Sequence, residues 1–185
     1  MADFTIFCGP MFSSKTSMLL MSLERYRHQK KSIIAFKPLI DTRYNMGAES
    51  ANEIVSHGGW RYSATPVIDG DDLFNKSIER KVDVVAVDEA FMIPGCADAL
   101  IVLFRSGINV LVSSIDLSSS CKPFKEVEKM MSWATKVEKC SAVCTMCGRN
   151  AYYTLKLSKN DIEIEVGGST LYESRCADCH GEVLL

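Results

Sequence analysis

The chain has 185 residues, enough for one substantial hydrophobic core with a small appended unit. Its apolar fraction of 47% and charged fraction of 24% are those of an ordinary soluble globular protein. A net charge of −2 argues against a general nucleic-acid-binding protein, since such proteins carry a clear basic excess. We recognise no targeting segment and no apolar run long enough to cross a bilayer. Eight cysteines then indicate a reducing compartment, so we expect a cytoplasmic protein without a membrane partner.

Strands and helices are predicted to alternate through most of the chain. Short apolar runs rich in β-branched residues predict strands at "DFTIFCG", "SIIAFKP", "VDVVAVDEA", "INVLVSSID" and "KVEKCSAV". Helices are predicted from Ser13, at "DDLFNKSIERK" with aspartates in its first turn, at "CADALIVLFRSG" before Gly107, and at "FKEVEKMMSWAT". Residues 41–67 are rich in turn formers and predict a long surface segment with one short strand. This order predicts an α/β fold with an open parallel sheet, like that of phosphate-loop NTPases.

The sequence pattern changes near residue 142, where paired cysteines replace the alternation of strands and helices, and we place a domain boundary there. Residues 1–142 would form the α/β nucleotide-binding domain, and residues 143–185 a small zinc-binding domain containing a strand pair at "AYYTLKL" and "DIEIEVGG". Two C-x-x-C pairs support the zinc prediction, because they offer four thiolates in a tetrahedral arrangement with no open position: Cys144, Cys147, Cys176 and Cys179. Such a zinc ion would be structural. Four buried or redox-active thiols, and His180 as a ligand in place of Cys179, stay open as alternatives.

The sequence "GPMFSSKT" differs from the phosphate-binding pattern G-x-x-x-x-G-K-[ST] only at Ser14. It follows a predicted strand and opens a predicted helix, so its backbone N–H groups and the helix N-terminus would bind the phosphates of ATP. Lys15 would reach the β- and γ-phosphates, and Thr16 would bind Mg²⁺. The residues predicted to bind ATP are Gly9, Pro10, Met11, Phe12, Ser13, Ser14, Lys15 and Thr16. A polar strand-to-helix turn with a capping serine is the alternative. A positive φ at Ser14 would cost about 1–3 kcal/mol.

The predicted buried strand in "VVAVDEA" ends in two acidic residues. Phosphate-loop enzymes place an aspartate that directs magnesium at the carboxyl end of such a strand, which makes Asp88 a candidate. Glu89 comes next and is a candidate general base toward a substrate hydroxyl. The alternative is a solvated strand end with no chemical role.

Several motifs, taken in order along the chain, carry a family resemblance. The motifs are "GPMFSSKT", "KPLIDTRY", "SHGG", "VDEA", "IDLSSSCKPF" and "VGGSTLYESRCADCH". Together they resemble the cytosolic (type II) thymidine kinase family of bacteria, large DNA viruses, phages and animal cytosol. The resemblance covers almost the whole chain. It implies ATP- and Mg²⁺-dependent phosphorylation of the 5′-hydroxyl of thymidine, giving dTMP in deoxynucleoside salvage. It further implies structural Zn²⁺, a lasso loop that closes over the nucleoside, a homotetramer and feedback inhibition by dTTP.

The resemblance also assigns roles to individual residues. Glu89 matches the general base. Asp41 and Arg43 match residues near the reacting phosphoryl group and magnesium. Arg43 is therefore expected to be catalytic, and Asp41 is expected to bind magnesium together with Thr16 and Asp88. The nucleoside-binding set is Met11, Phe91, Phe124, Val166, Gly167, Gly168, Ser169, Thr170 and Tyr172. Without the resemblance, Arg43 reads as a surface arginine and Tyr172 as a packing residue.

Three positions depart from the family pattern. The family usually has glycine at Ser14, glutamine at Phe91 and an aromatic residue at Ser119. Losing a stacking ring at position 119 would cost about 1–3 kcal/mol of base binding. Either Phe91 supplies a replacement ring, or the pocket has shifted toward another pyrimidine deoxynucleoside. Two other classes stay open: a catalytically weak nucleotide-binding regulatory protein, and a zinc-ribbon nucleic-acid binder, which the slight negative charge disfavours.

Overall fold

The structure, a computed structural model, describes residues 2–41, 52–158 and 167–181. The helices are α1 (Lys15–His28), α2 (Gly70–Arg80), α3 (Cys96–Arg105), α4 (Lys125–Trp133) and α5 (Ala177–His180). The strands are β1 (Phe4–Cys8), β2 (Ile33–Pro38), β3 (Glu53–Val55), β4 (Arg61–Ser63), β5 (Thr65–Val67), β6 (Val84–Asp88), β7 (Asn109–Ser114), β8 (Lys136–Lys139), β9 (Ala142–Val143), β10 (Asn150–Ala151), β11 (Tyr153–Lys156) and β12 (Tyr172–Arg175).

The centre of the protein is a six-stranded sheet in the order β5-β2-β6-β7-β1-β8, and every pairing in it is parallel. Parallel strands that follow one another in the chain need crossover connections, and α1, α2, α3 and α4 each lie in such a connection. The predicted open parallel α/β sheet is therefore confirmed.

Side chains on the two faces of the sheet form two separate cores. On one face, alternate residues of β1 such as Phe4 and Ile6 pack with Leu73 of α2, Leu100 of α3 and Met130 of α4. On the other face, the intervening residues of the strands pack with α1 and with the β3–β4 hairpin, represented by Phe7, Leu19, Leu23, Ile54 and Leu111. The strands buried on both faces explain the nearly continuous apolar runs in the sequence.

Parallel pairing places the carboxyl ends of β1, β6 and β7 at one edge of the sheet. Cys8 pairs with Ser114, and Asp88 pairs with Ser113, so the residues that follow these strands lie side by side. This edge is where open α/β sheets bind their ligands. None of the helices in the three described ranges is long and apolar enough to cross a membrane.

The predicted helices and central strands are confirmed, with differences at the periphery. The segment 41–67 was expected to contain one short strand, but its described part contributes three: β3, β4 and β5. The predicted strand "KVEKCSAV" is divided, because β8 ends at Lys139 and Ala142–Val143 pairs instead with β10. The described partner of β11 is β12, and most of the expected partner, "DIEIEVGG", lies outside the described residues.

The packing of α2 against α3 depends on a close backbone approach at Gly70. The Gly70 N–H donates to Pro94 O at 2.8 Å, and a Cβ added at Gly70 would lie 2.2 Å from Gly95 O. Only a residue without a Cβ fits there. Gly70 is thus required by packing, although glycine is a poor helix former.

We predict that Gly70→Ala lowers the free energy of unfolding by about 2–3 kcal/mol, because α2 must move away from the backbone at Gly95. Helix propensity alone predicts the opposite sign, a gain of about 1 kcal/mol. Chemical denaturation measures the difference. Gly107→Ala is the control: with φ 91 and open space around the new Cβ, it should cost only about 1 kcal/mol. Equal effects of the two substitutions would contradict the steric argument.

Candidate nucleotide site and cysteine cluster

Residues 9–16, called the 9–16 loop below, join β1 to α1 and have an unusual backbone. Gly9 has φ 142, and a Cβ there would lie 2.3 Å from Cys140 O. Phe12 and Ser14 have φ values of 64 and 60, in the left-handed region that favours glycine. Because φ at Ser14 is positive, the backbone of this serine is strained. Helix α1 begins at Lys15, two residues after the predicted start, with no side-chain cap.

Lys15 is buried within the 9–16 loop. Its Nζ donates to Pro10 O at 2.5 Å and to Ser13 Oγ at 3.3 Å, and Ser13 Oγ donates to Pro10 O at 2.8 Å. Burial lowers the pKa of Lys15 below its usual value, and the nearby carboxylates of Glu89 and Asp88 offset only part of this effect. The Lys15 amine therefore lies close to both carboxylates.

Asp88 ends β6 and connects three elements at the sheet edge. Its Oδ1 accepts from Thr16 Oγ1 at 3.1 Å, at the start of α1, and from Ser113 Oγ of the adjacent β7. Thr16 and Asp88 were both predicted to bind magnesium, and the structure brings their oxygens together. Hydroxyl and carboxylate oxygens are the ligands that Mg²⁺ prefers, so this pair fits that ion. Asp41, the third predicted magnesium residue, is buried just after β2.

Glu89 follows Asp88 directly and is also buried. Its backbone has φ 51, and a 3-10 turn over Ala90–Met92 starts immediately afterwards. A non-glycine residue held in this region stores strain that the surrounding structure must compensate, a feature common at active sites. Both Glu89 and Asp88 lie close enough to Lys15 to raise its pKa.

One cavity of about 520 Å³ joins these parts. It is lined by residues 11–17, Glu89, His57, Gly58, Ile115 and Ser169. Its volume lies within the range of small-molecule sites in proteins. Lys15, Thr16 and Glu89 therefore face a common space, together with Ser169 from the predicted nucleoside-binding set.

Some residues of this cavity received no role from the sequence. His57 lies with its ring centroid 5.4 Å from that of Phe12, and Gly58 follows it. The motif "SHGG" was the signal available for this pair, but it contributed only to the family resemblance. Ile115 follows β7, so its place in the cavity depends on the strand order rather than on any local pattern.

The predicted nucleoside-binding residues are only partly brought together. Met11 and Tyr172 are buried, and Phe124 is half-buried beside the core. In the described end of the lasso segment, Gly167 and Gly168 are half-buried, whereas Ser169 and Thr170 are exposed. Arg43 and Val166 lie outside the described residues. The roles of this set in binding a nucleoside remain predictions.

Phe91 lies in the core on the α3 face of the sheet, with 9% of its surface exposed. Its ring centroid is 4.7 Å from that of Phe124, which was also assigned to the nucleoside pocket. The two rings pack on each other within the core, and Phe91 does not line the cavity described above. A replacement stacking role for Phe91 remains a prediction.

The four cysteines predicted to bind metal form a compact cluster. The Sγ atoms of Cys144, Cys147, Cys176 and Cys179 all lie within 4.8 Å of one another. The Cys147 and Cys176 sulfurs are 3.6 Å apart, close to the spacing of about 3.8 Å that Zn–S bonds of about 2.3 Å give in a tetrahedron. His180 lies apart from this set, with Nε2 3.2 Å from Thr154 O. The cysteine cluster therefore fits zinc with four thiolate ligands.

The surroundings of the cluster favour the thiolate form of Cys144 and Cys147 and the thiol form of Cys179. Burial raises the pKa of Cys144, but hydrogen bonds from the backbone of Cys176, Met146 and Cys147 outweigh it and lower the pKa to about 6. The backbone and guanidinium of Arg149 lower the pKa of Cys147. Hydrogen bonding with Cys176 raises the pKa of Cys179 to about 12. At least two ligands are thus readily ionised, as zinc binding requires.

The fold and the site define a class: a mixed α/β protein with a lysine-bearing loop at the carboxyl edge of its parallel sheet and a four-cysteine cluster near the end of the chain. A comparison with protein families gives a more particular answer. The family model described as thymidine kinase matches residues 2–180. The chain belongs to the thymidine kinase family, and the resemblance seen in its motifs is confirmed.

We predict that Ser14→Gly raises the free energy of unfolding by about 1 kcal/mol, because glycine occupies the left-handed region without strain. Ser17→Gly, three residues later in the first turn of α1, should instead lower it by about 0.5 kcal/mol through helix propensity. Thermal and chemical denaturation of both variants supply the comparison. A loss of stability in Ser14→Gly equal to that in Ser17→Gly would refute the strain at Ser14.

Proposed function

We propose that the protein is a thymidine kinase that transfers the γ-phosphoryl group of ATP to the 5′-hydroxyl of thymidine. The observation that carries the proposal is the shared cavity, which Lys15, Thr16 and Glu89 line together. Family membership supports a nucleoside kinase and supplies thymidine as the expected acceptor. The 9–16 loop is then the phosphate-binding loop, and its free N–H groups and the α1 N-terminus face the polyphosphate.

Phosphoryl transfer by this site follows from charge and proximity. Lys15 would leave Pro10 O and bind the β- and γ-phosphates, since phosphate oxygens are stronger acceptors than a neutral carbonyl. Glu89 would take the proton of the 5′-hydroxyl as its oxygen bonds to the γ-phosphorus. The bond from that phosphorus to the β-bridging oxygen breaks, and ADP leaves with the electron pair. Most of the acceleration would come from positioning and charge stabilisation.

Thr16 and Asp88 would hold magnesium with the ATP, and Asp41 is a third candidate from the neighbouring strand end. The ion neutralises charge on the phosphates. Ser113 has a positioning role in this arrangement, because its hydroxyl donates to the Asp88 carboxylate and fixes its orientation. Arg43 as a further catalytic residue rests on the motif alone.

The zinc ion is proposed to be structural, at one ion per chain, because four thiolates leave no open coordination position. We further propose, from family membership alone, a cytoplasmic homotetramer that dTTP inhibits, with residues 1–142 and 143–185 as its two domains.

We predict thymidine-dependent release of ADP from ATP, and a decrease in kcat of about 10²–10⁴-fold in Glu89→Gln, which keeps the shape of the side chain but removes the base. Coupled-assay kinetics measure both. Glu79→Gln, at an exposed acid on α2, is the matched control and should behave as wild type.

A panel of pyrimidine deoxynucleosides in the same assay tests specificity. A higher kcat/KM for another member of the panel would support the altered-specificity alternative, for which the departures at Phe91 and Ser119 are the reason. If folded, zinc-loaded protein binds ATP but gives no nucleoside-dependent turnover, the kinase proposal fails and the regulatory alternative gains.

We predict one zinc per chain by elemental analysis, and loss of that zinc in Cys144→Ser or Cys176→Ser. Since metal binding contributes to folding, the melting temperature should fall by about 4 °C or more. Cys121→Ser, a cysteine outside the cluster, should keep its zinc. Protein purified without chelator but free of zinc would count decisively against the metal site.

A further inference from the structure

The backbone of Met11, within the 9–16 loop, is bound by two side chains from the far end of the chain. The Met11 N–H donates to Thr154 Oγ1 at 3.0 Å, and Met11 O accepts from Ser174 Oγ at 2.8 Å. Both hydroxyl-bearing residues are buried, with 4% and 1% of their surfaces exposed. Thr154 and Ser174 are also direct partners in the antiparallel β11–β12 ladder. We call this pair the Met11 clamp.

Each residue of the Met11 clamp is in turn held next to the cysteine cluster. The carbonyl oxygen of Thr154 is 3.2 Å from His180 Nε2, and His180 directly follows Cys179. The carbonyl of Ser174 accepts from the N–H of Thr145 at 3.1 Å, and Thr145 directly follows Cys144. A short series of hydrogen bonds therefore connects each C-x-x-C pair to Met11.

The 9–16 loop needs external support at this point. Met11 immediately precedes Phe12, and both Phe12 and Ser14 have positive φ. Such residues keep their conformation only when the surroundings impose it. On one side, Gly9 packs closely against the backbone of Cys140. On the other side, the Met11 clamp forms hydrogen bonds with both the N–H and the carbonyl oxygen of Met11. Because the Met11 N–H already donates to Thr154 Oγ1, the loop amides left for a bound phosphate would be those of the residues that follow.

We propose that Thr154 and Ser174 are positioning residues for the phosphate-binding loop, and that metal binding at the cysteine cluster and nucleotide binding at the loop are thereby coupled. The proposal rests on the proposed function in one respect, that the ligand of the loop is ATP. Coupling between two sites is reciprocal: if metal strengthens ATP binding, bound ATP must strengthen metal binding by the same factor.

The first experiment measures the dissociation constant of MgATP by titration calorimetry in zinc-loaded wild type, Thr154→Val, Ser174→Ala and the double variant. Each single variant should weaken binding by about fivefold, the effect of losing one hydrogen bond of ordinary strength. The double variant should lose less than the product of the single effects, because the two bonds hold one residue.

Three further variants separate positioning from general damage. Thr154→Ser and Ser174→Thr keep a hydroxyl and should restore most of the ATP affinity. Ser141→Ala removes an exposed hydroxyl beside β9 and is the control for Ser174→Ala; it should bind ATP as wild type does. ATP affinities of Thr154→Val and Ser174→Ala within twofold of wild type, at full zinc content, would overturn the proposal.

The second experiment needs no variant. The affinity of the wild-type protein for zinc is measured by equilibrium competition with a zinc-selective chelator, with and without saturating MgATP. We expect severalfold tighter zinc binding with nucleotide; equal affinities would also overturn the coupling. The exchange rate of backbone amides in residues 9–16, measured by mass spectrometry without any nucleotide, should rise in the double variant.

These readouts do not depend on phosphoryl transfer. ATP binding and amide exchange that respond as expected, together with an absence of thymidine-dependent turnover, would sink the proposed function and leave the Met11 clamp intact. Normal thymidine-dependent turnover, together with zinc binding and ATP binding that do not affect each other, would refute the coupling and leave the proposed function intact.

Discussion

The parallel pairing of β7 with β6 on one side and β1 on the other is the interaction on which the site depends. Its register places Ser113 opposite Asp88 and Ser114 opposite Cys8. The loop that follows β1 and the carboxylates at the end of β6 therefore lie on the two sides of β7, at the same carboxyl edge of the sheet. A shift of one residue in the register between β6 and β7 would turn Asp88 to the other face of the sheet and separate it from Thr16.

Strain in this site is offset by contacts from all sides. Phe12, Ser14 and Glu89 are non-glycine residues in the left-handed region, each costing about 1–3 kcal/mol. The compensating contacts come from distant parts of the chain: Cys140 beside Gly9, Thr154 and Ser174 at Met11, and Ser114, whose Oγ accepts from the Phe91 N–H at 3.1 Å just after Glu89. The rigid sheet and the C-terminal hairpin thus hold a loop conformation that its own sequence does not favour.

The sequence was sufficient where local pattern decides the structure. Buried strands, the aspartates in the first turn of α2, and the two C-x-x-C pairs all have short-range signatures. It was insufficient where tertiary contacts decide. No local pattern predicts that Phe91 packs on Phe124 within the core, because the turn after Glu89 sets the direction of the side chain. The hydroxyls of Thr154 and Ser174 likewise acquire meaning only when β11 and β12 pair beside Met11.

The position of β1 also determines when the protein can fold. Among the strands in the described part of the chain, Phe4–Cys8 pairs with Asn109–Ser114 and Lys136–Lys139, both more than a hundred residues later. A nascent chain released only as far as α3 holds its first strand with neither neighbour, an apolar segment with unpaired backbone groups on both edges. Pairings of such long range are slow to form and expose apolar surface meanwhile. Of the six strands in the central sheet, β1 therefore waits longest for a partner after it is made, and chaperone protection during synthesis would act mainly on it.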